Sequence, residues 1–225
     1  MTKTAIMIDG GYYRKRAASL WGDKSPEARA EELNRYVFKH IDKKDGPSKR
    51  TLYRVFYYDC PPVKKKIFHP MKGKTVDFSK EKMFGWANKF HDCLRTKRKF
   101  ALRMGRISKN DAYYQLNNEK VKKLVAKTIT VDDLEESDFS VTFRQKEVDM
   151  KLGIDVASLA YEGIVDQIIL IAGDSDFVPA AKIARRKGID FILDPMGRNI
   201  NPSLSEHVDG LETFVKHDPY PCPDE

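Results

Sequence analysis

The chain has 225 residues, enough for one large α/β domain or one domain with a substantial insertion, and it reads as a single domain over 1–225. Its 41 Lys and Arg outweigh 33 Asp and Glu for a net charge of +8, which favours a polyanionic partner. Cys60, Cys93 and Cys222 are widely spaced with no CxxC pair, which argues against a disulfide framework and a thiolate zinc site, and no apolar run approaches a signal peptide or membrane span. A soluble, cytoplasmic protein is expected.

In chain order, Thr4 to Ile8 is a short apolar run that predicts a central strand delivering Asp9 to its C-terminal end. Aspartate before glycine is commonly a turn or helix cap, and Asp9 alone carries little weight. Tyr12 to Leu20 predicts a helix with Arg14, Lys15 and Arg16 on one face. Ser25-Pro26 is a cap followed by proline at the first helical position, and Leu33, Val37, Phe38 and Ile41 supply the buried stripe of a second helix ended by Lys43 to Pro47. Thr51 to Tyr58, rich in β-branched and aromatic residues, predicts a strand closed by Asp59 and Pro61-Pro62.

From 63 to 143 the chain is basic, rich in aromatic residues and variable in pattern. Between Val63 and Arg106 fourteen Lys and Arg face only Asp77, Glu81 and Asp92. Met83, Ala87, Phe90 and Leu94 predict the buried side of a helix over Ser79–Thr96, so most of the aromatic residues are expected in the core. The runs Lys64-Lys65-Lys66 and Lys97-Arg98-Lys99 are the candidates for phosphate contacts. Phe100 to Ile107 predicts a strand. Residues 108–143 read as an insertion, with a basic helix near Val121 to Lys127 and a small hairpin using Ala126–Thr130 and Phe139–Phe143.

The most informative stretch is Lys146 to Gly188. Asp149 opens a helix with Leu152, Val156 and Ala160 on one side, and Gly163 ends it. Gln167 to Ala172 is apolar without alternation, the mark of a strand covered on both faces of a parallel sheet. It ends in Gly173-Asp174-Ser175-Asp176-Phe177 and a helix with Pro179 in its first turn. Ile189 to Leu193 predicts a last parallel strand ending at Asp194, with Arg198 in the loop beyond it. Ser203 to Phe214 predicts a closing helix, and the tail from Asp218 is expected to fray.

A helix crossing between parallel strands starts near their C-terminal edge, so Asp149, Asp174 and Asp176 fall at the end of the sheet where Asp9 lies. Carboxylates gathered there repel one another unless a cation neutralises them, and hard divalent ions such as Mg²⁺ or Mn²⁺ take oxygen ligands. With the basic surface, this points to a nucleic acid held over a metal site. Lys146, Lys151, Arg198 and Arg14 are further candidate phosphate contacts, and Ser175 lies where it can orient water or phosphate. Toprim-type and haloacid-dehalogenase-type readings lack, respectively, a glutamate after the first strand and a DxD start.

The segments AIMIDGG, KEVDMKLGIDVASLA and ILIAGDSDFVPAAKIARRKGI resemble the NYN domains, including their LabA-like branch, within the PIN-like nuclease fold. The resemblance is weakest over Pro62 to Phe143. It implies a Rossmann-like parallel sheet flanked by helices and Mg²⁺- or Mn²⁺-dependent RNA cleavage. It also implies that Asp9, Asp149, Asp174 and Asp176 form the catalytic metal site. Asp155 matches a further family aspartate but lies about 240° around the helix from Asp149, which suits a supporting role. Tyr12 stands where the family often has asparagine. The alternative is an RNA-binding or assembly module with this fold and little turnover. The sequence leaves the oligomeric state open, a homodimer included.

Overall fold

The computed structural model describes residues 1–43 and 48–221, the side chains of 109–111 and 144–145 excepted. Residues 44–47, predicted to end the second helix, and the final residues with Cys222 lie outside the described residues.

The chain opens with β1 (Thr2–Asp9), α1 (Gly10–Trp21), α2 (Pro26–Ile41) and β2 (Arg50–Asp59). A short hairpin follows, β3 (Lys66–His69) with β4 (Lys74–Asp77), then α3 (Lys82–Thr96) and β5 (Phe100–Met104). Next come β6 (Arg106–Leu116), α4 (Asn118–Val125) and β7 (Phe139–Lys146). The chain closes with α5 (Val148–Glu162), β8 (Gln167–Ile171), α6 (Val178–Arg186), β9 (Asp190–Asp194), α7 (Pro202–Ser205) and β10 (Gly210–Leu211).

Six strands form one sheet in the order β10-β9-β8-β1-β2-β5, and every neighbouring pair is parallel. The chain lays β1, β2 and β5 outward on one side of β1, then returns to lay β8, β9 and β10 on the other. The order reverses between β1 and β8. In open α/β sheets of this kind ligands bind in the crevice outside the strand ends at that switch point.

Helices cover both faces, which is why β1 and β8 are apolar without alternation. Ile6, Ile8, Val55, Tyr57 and Ile169 pack against Tyr13 of α1, Leu33 and Val37 of α2, and Phe90 and Leu94 of α3. The alternate residues Ala5, Met7, Phe56 and Leu170 pack against Leu152 and Val156 of α5 and Ala181 and Ala184 of α6.

Several sequence expectations are corrected. Phe38 and Met83 were assigned to buried stripes but are 41% and 69% exposed. In α2 the inward positions belong to Tyr36, His40 and Ile41, and in α3 the helix starts only at Lys82, so Met83 sits in an open first turn. The predicted strand 100–107 is two strands. β5 stays in the main sheet, whereas β6 leaves it at Gly105 and pairs antiparallel with β7. The small hairpin therefore uses 106–116 with 139–146. Ala126–Thr130 forms no strand, because α4 runs up to it and Lys127 turns left-handed at φ 55°. The predicted closing helix over 203–214 is one turn, α7, followed by the edge strand β10. The described part of the tail is docked, with Asp218 paired to the buried Lys24 and Tyr220 under the Arg35 guanidinium at 4.6 Å.

Gly105 has no room for a side chain. A Cβ there would stand 2.6 Å from the Lys146 carbonyl oxygen and 2.8 Å from Val148 Cγ2. Gly105→Ala is expected to cost about 1–3 kcal/mol, read as a melting temperature lower by several degrees.

Candidate active site

Asp9 ends β1 and caps α1, its Oδ1 accepting from the Tyr12 amide at 3.0 Å. Asp174 follows β8 and caps the short 3₁₀ turn Ser175–Phe177, its Oδ1 accepting from the Asp176 amide at 3.1 Å. Asp149 stands in the first turn of α5, the crossover that leads into β8. The cap reading and the site reading of these residues therefore coexist. Strands β1 and β8 are neighbours, so all four carboxylates belong to the switch point.

Their charges act on one another. Burial raises the Asp9 carboxyl above the ordinary aspartate value, the Tyr12 amide pulls it back, and Asp149 raises it again. Burial raises Asp149 too, followed by the charges of Asp174 and Asp176. None of the four is in an ion pair with a lysine or arginine among the described residues. An anionic, oxygen-only donor set with no ion-pair partner among the described residues, Arg14 acting on Asp9 only as a nearby charge, suits a hard divalent cation. Among the described residues no three carboxylate, imidazole or thiolate groups stand close enough to enclose an ion, so holding one requires these side chains to turn inward.

An open cleft of ≈ 1050 Å³ is lined by Asp9 and Asp174, but not by Asp149 or Asp176, together with Tyr12, Arg14, Lys15, Gly173 and Arg198 among others. Tyr12 spans the rim: its hydroxyl donates to the Pro195 carbonyl at 2.6 Å, and its ring lies so close to Gly173 that a Cβ there would meet Cε2 at 2.4 Å. Glu147 precedes α5 in a left-handed conformation at φ 74°, which a side chain adopts at a cost. Its carboxylate is held by Arg106 Nε at 2.6 Å and Lys151 Nζ at 3.6 Å, and it sets the angle at which α5 presents Asp149.

The candidate cations separate into groups. Lys15 and Arg198 face the cleft. Lys64 and Lys65 lie in the connection from β2 to β3 and Lys66 begins β3; none of the three lines the cleft. Lys146 is exposed at the end of β7. Lys97, Arg98 and Lys99 precede β5 and so sit at the opposite edge, with Lys97 paired to Glu31 and Lys99 donating to the Leu52 carbonyl. A basic run in sequence carries no information about which edge it will occupy. Lys151 donates to the Met104 carbonyl at 2.6 Å. Arg14 is tethered to Asp59 and donates to the Tyr57 hydroxyl at 3.2 Å. Asp155 accepts from the Tyr58 hydroxyl at 2.9 Å and Arg103 Nε at 2.8 Å, bracing α5 against the sheet.

Asp59, at the end of β2, is 1% exposed and also accepts from His91 Nε2 at 2.9 Å. Burial, then Arg14, lowers His91 to about 4, so the neutral ring is the folded form. A group depressed in this way stabilises the fold above its unfolded value near 6.5 and loses that contribution as pH falls through about 4. Thermal melts between pH 7.5 and 4 are expected to show this loss, and His91→Gln to flatten it.

By fold, the chain is similar to the crystal structure of a protein of unknown function from Vibrio parahaemolyticus, with a TM-score of 0.52 and 14% identity over 97% of this chain and 95% of the other. No curated protein matches the chain. The family model for the NYN domain matches residues 72–210, a span that holds Asp149, Asp174 and Asp176, begins after Asp9, and takes in most of the stretch where the resemblance was expected to be weakest. With most of its length matched and a parallel sheet of the PIN-like kind, the chain belongs to the NYN domain family of the PIN-like nuclease superfamily.

Proposed function

We propose that the protein is a divalent-metal-dependent ribonuclease, an endonuclease that hydrolyses RNA phosphodiester bonds at Asp9, Asp149, Asp174 and Asp176. The observation that carries this reading is the placement of four carboxylates at the switch point of an NYN-family sheet, with Asp149 raising Asp9 and Asp174 and Asp176 raising Asp149, and none in an ion pair among the described residues. A divalent cation, Mg²⁺ or Mn²⁺, bound there supplies charge neutralisation at the scissile phosphate and a water of lowered pKa. The protein's own part is positional. Capping keeps Asp9 and Asp174 at the strand ends, from which they turn inward to take the ion, Glu147 and Asp155 brace α5, which carries Asp149, and Tyr12 closes the rim toward β9. Lys15 and Arg198 lie where a polyanion crossing the cleft meets positive charge. Ser175 and the amides of the turn before α6 present donors to a phosphate oxygen. The likeness of ILIAGDSDF to the LabA-like branch belongs to the same proposal. No helix among the described residues is long and apolar enough to cross a membrane.

The second reading, an RNA-binding or assembly module with little turnover, draws on the carboxylates' lack of convergence on a common point. End-labelled single-stranded and structured RNA, incubated with Mg²⁺, Mn²⁺ or EDTA, separates the two. The nuclease reading expects metal-dependent products with 5′-phosphate and 3′-hydroxyl ends that vanish in Asp174→Asn. Binding without cutting under any metal transfers the assignment to the module.

A further inference from the structure

The large cleft does not end at the carboxylates. It shares Arg14, Met83, Trp86 and Phe143 with a second pocket of ≈ 260 Å³ set over the C-terminal end of β2. The floor of this second pocket is Cys60, Pro61 and Pro62, the residues that follow β2. Neighbouring strands are about 4.8 Å apart, and β2 is the neighbour of β1. The pocket therefore opens beside Asp9, on the side away from Asp174.

Its walls are built for a flat apolar guest. Trp86 is locked in place: its indole N–H donates to the Lys24 carbonyl at 2.8 Å, and one ring face stacks on Phe90 with centroids 5.1 Å apart and planes 18° from parallel. The rest of the ring contributes to both pockets. Phe143, on the inserted hairpin, stands across from it and is held edge-on against Phe78 at 5.4 Å. Met83, one turn before Trp86 in the open first turn of α3, is 69% exposed and lines both pockets. A cavity of this size lies below the 300–1,000 Å³ usual for drug-sized ligands, and suits a single ring system better than a helix or a peptide strand.

We propose that this slot takes an unpaired nucleobase of the substrate strand, stacked on Trp86, while the strand's phosphate lies over the carboxylates. The assignment rests on the nuclease reading for its choice of guest. Continuity with the cleft, and Arg14 in the lining of both pockets, favour a nucleotide over any other flat apolar group. Because every base has a π face, such a platform selects single strands over duplex without reading sequence. The inserted hairpin thereby contributes to substrate choice through Phe143.

The test is equilibrium binding in EDTA, where nothing is cut. Single-stranded RNA, the same strand with abasic residues, and its duplex are titrated against the native protein by anisotropy. They are also titrated against Trp21→Phe, in which Trp86 is the sole tryptophan, by fluorescence. The base-bearing single strand is expected to quench Trp86 and to bind on the order of tenfold more tightly than the abasic strand or the duplex. Trp86→Ala should erase that preference, and Trp86→Phe, which keeps a ring on Phe90, should restore most of it. Equal affinity for abasic and base-bearing strands with unchanged Trp86 emission overturns the slot, even if the protein cuts RNA. A preference for base-bearing strands in a protein that never cuts leaves the slot standing and removes only the nuclease.

Discussion

Asp149→Asn is expected to lower metal-dependent RNA cleavage by about 100-fold or more while leaving the fold as stable as before or more so. The rate loss follows from the assigned role: even residues that merely support a metal ligand cost 10–100-fold when removed. The stability gain follows from electrostatics. Burial, then Asp174 and Asp176, raises the Asp149 carboxyl, which means that its ionised form is disfavoured in the folded protein. The repulsion acts on the ionised form, and the neutral amide removes it. Asp149 is exposed, and solvent screening limits the gain to under about 1 kcal/mol, up to about 4 °C in melting temperature. Millimolar Mn²⁺ should raise the melting temperature of the native protein and fail to do so in the variant. A variant that melts several degrees lower would show that Asp149 is a structural residue.

Asp194→Ala is expected to be the most destabilising single change at the rim. Asp194 is wholly buried at the end of β9 and accepts from the Tyr36 hydroxyl at 2.6 Å, His40 Nε2 at 2.9 Å and the Met196 amide at 2.8 Å. The other ring nitrogen of His40 lies 3.2 Å from Glu212, which also takes Arg50 at 2.5 Å and Lys43 at 2.6 Å. Burial by itself would lower the His40 ring, but the carboxylates on its two nitrogens prevail and raise it. Removing Asp194 takes the acceptor away from His40 Nε2, the Tyr36 hydroxyl and the Met196 amide, leaving Glu212 on the other nitrogen of the His40 ring. Breaking a buried charged network costs about 3–5 kcal/mol, which at 2–4 °C per kcal/mol is a fall of about 6–20 °C. A fall under 2 °C in differential scanning calorimetry would mean that water or rearrangement satisfies the orphaned groups. Because His40 is raised, its contribution to stability is fully present below the unfolded value of 6.5 and is lost as pH rises through its folded value. This is opposite in sign to His91.

What the sequence made legible is what local pattern controls. The unbroken apolar run of β8 marks a strand covered on both faces of a parallel sheet, and the aspartates at the end of β1 and three residues after β8 put Asp9 and Asp174 at one rim. Gly163 and Pro179 bracketed β8 with a helix on either side. The misassigned segments are those decided by distant partners. Tyr113 and Tyr114 gain strand structure only from Val141 and Thr142 across the hairpin, and two residues of β10 exist only because β9 has a free edge. The Asp194 network escaped notice because its members span residues 36 to 212, and a lone histidine on a helix gives no sign of its neighbours. The location of Lys97–Lys99 depended on the direction of β5, and the slot on how α3 faces the hairpin.

The returning strand order has a consequence for how the chain is made. Ile6 pairs with Ile169 on one side and Val55 on the other. During synthesis at about 5–20 residues per second, the second edge of β1 thus waits roughly 8–33 s for its partner to be polymerised. Throughout that interval the nascent chain carries the strand Ala5-Ile6-Met7-Ile8 with one row of amides and carbonyls unpaired, a template for association with other nascent chains. A fragment stopped before Gln167 is accordingly expected to aggregate rather than fold, and the N-terminal half to travel as chaperone cargo until β8 emerges from the ribosome.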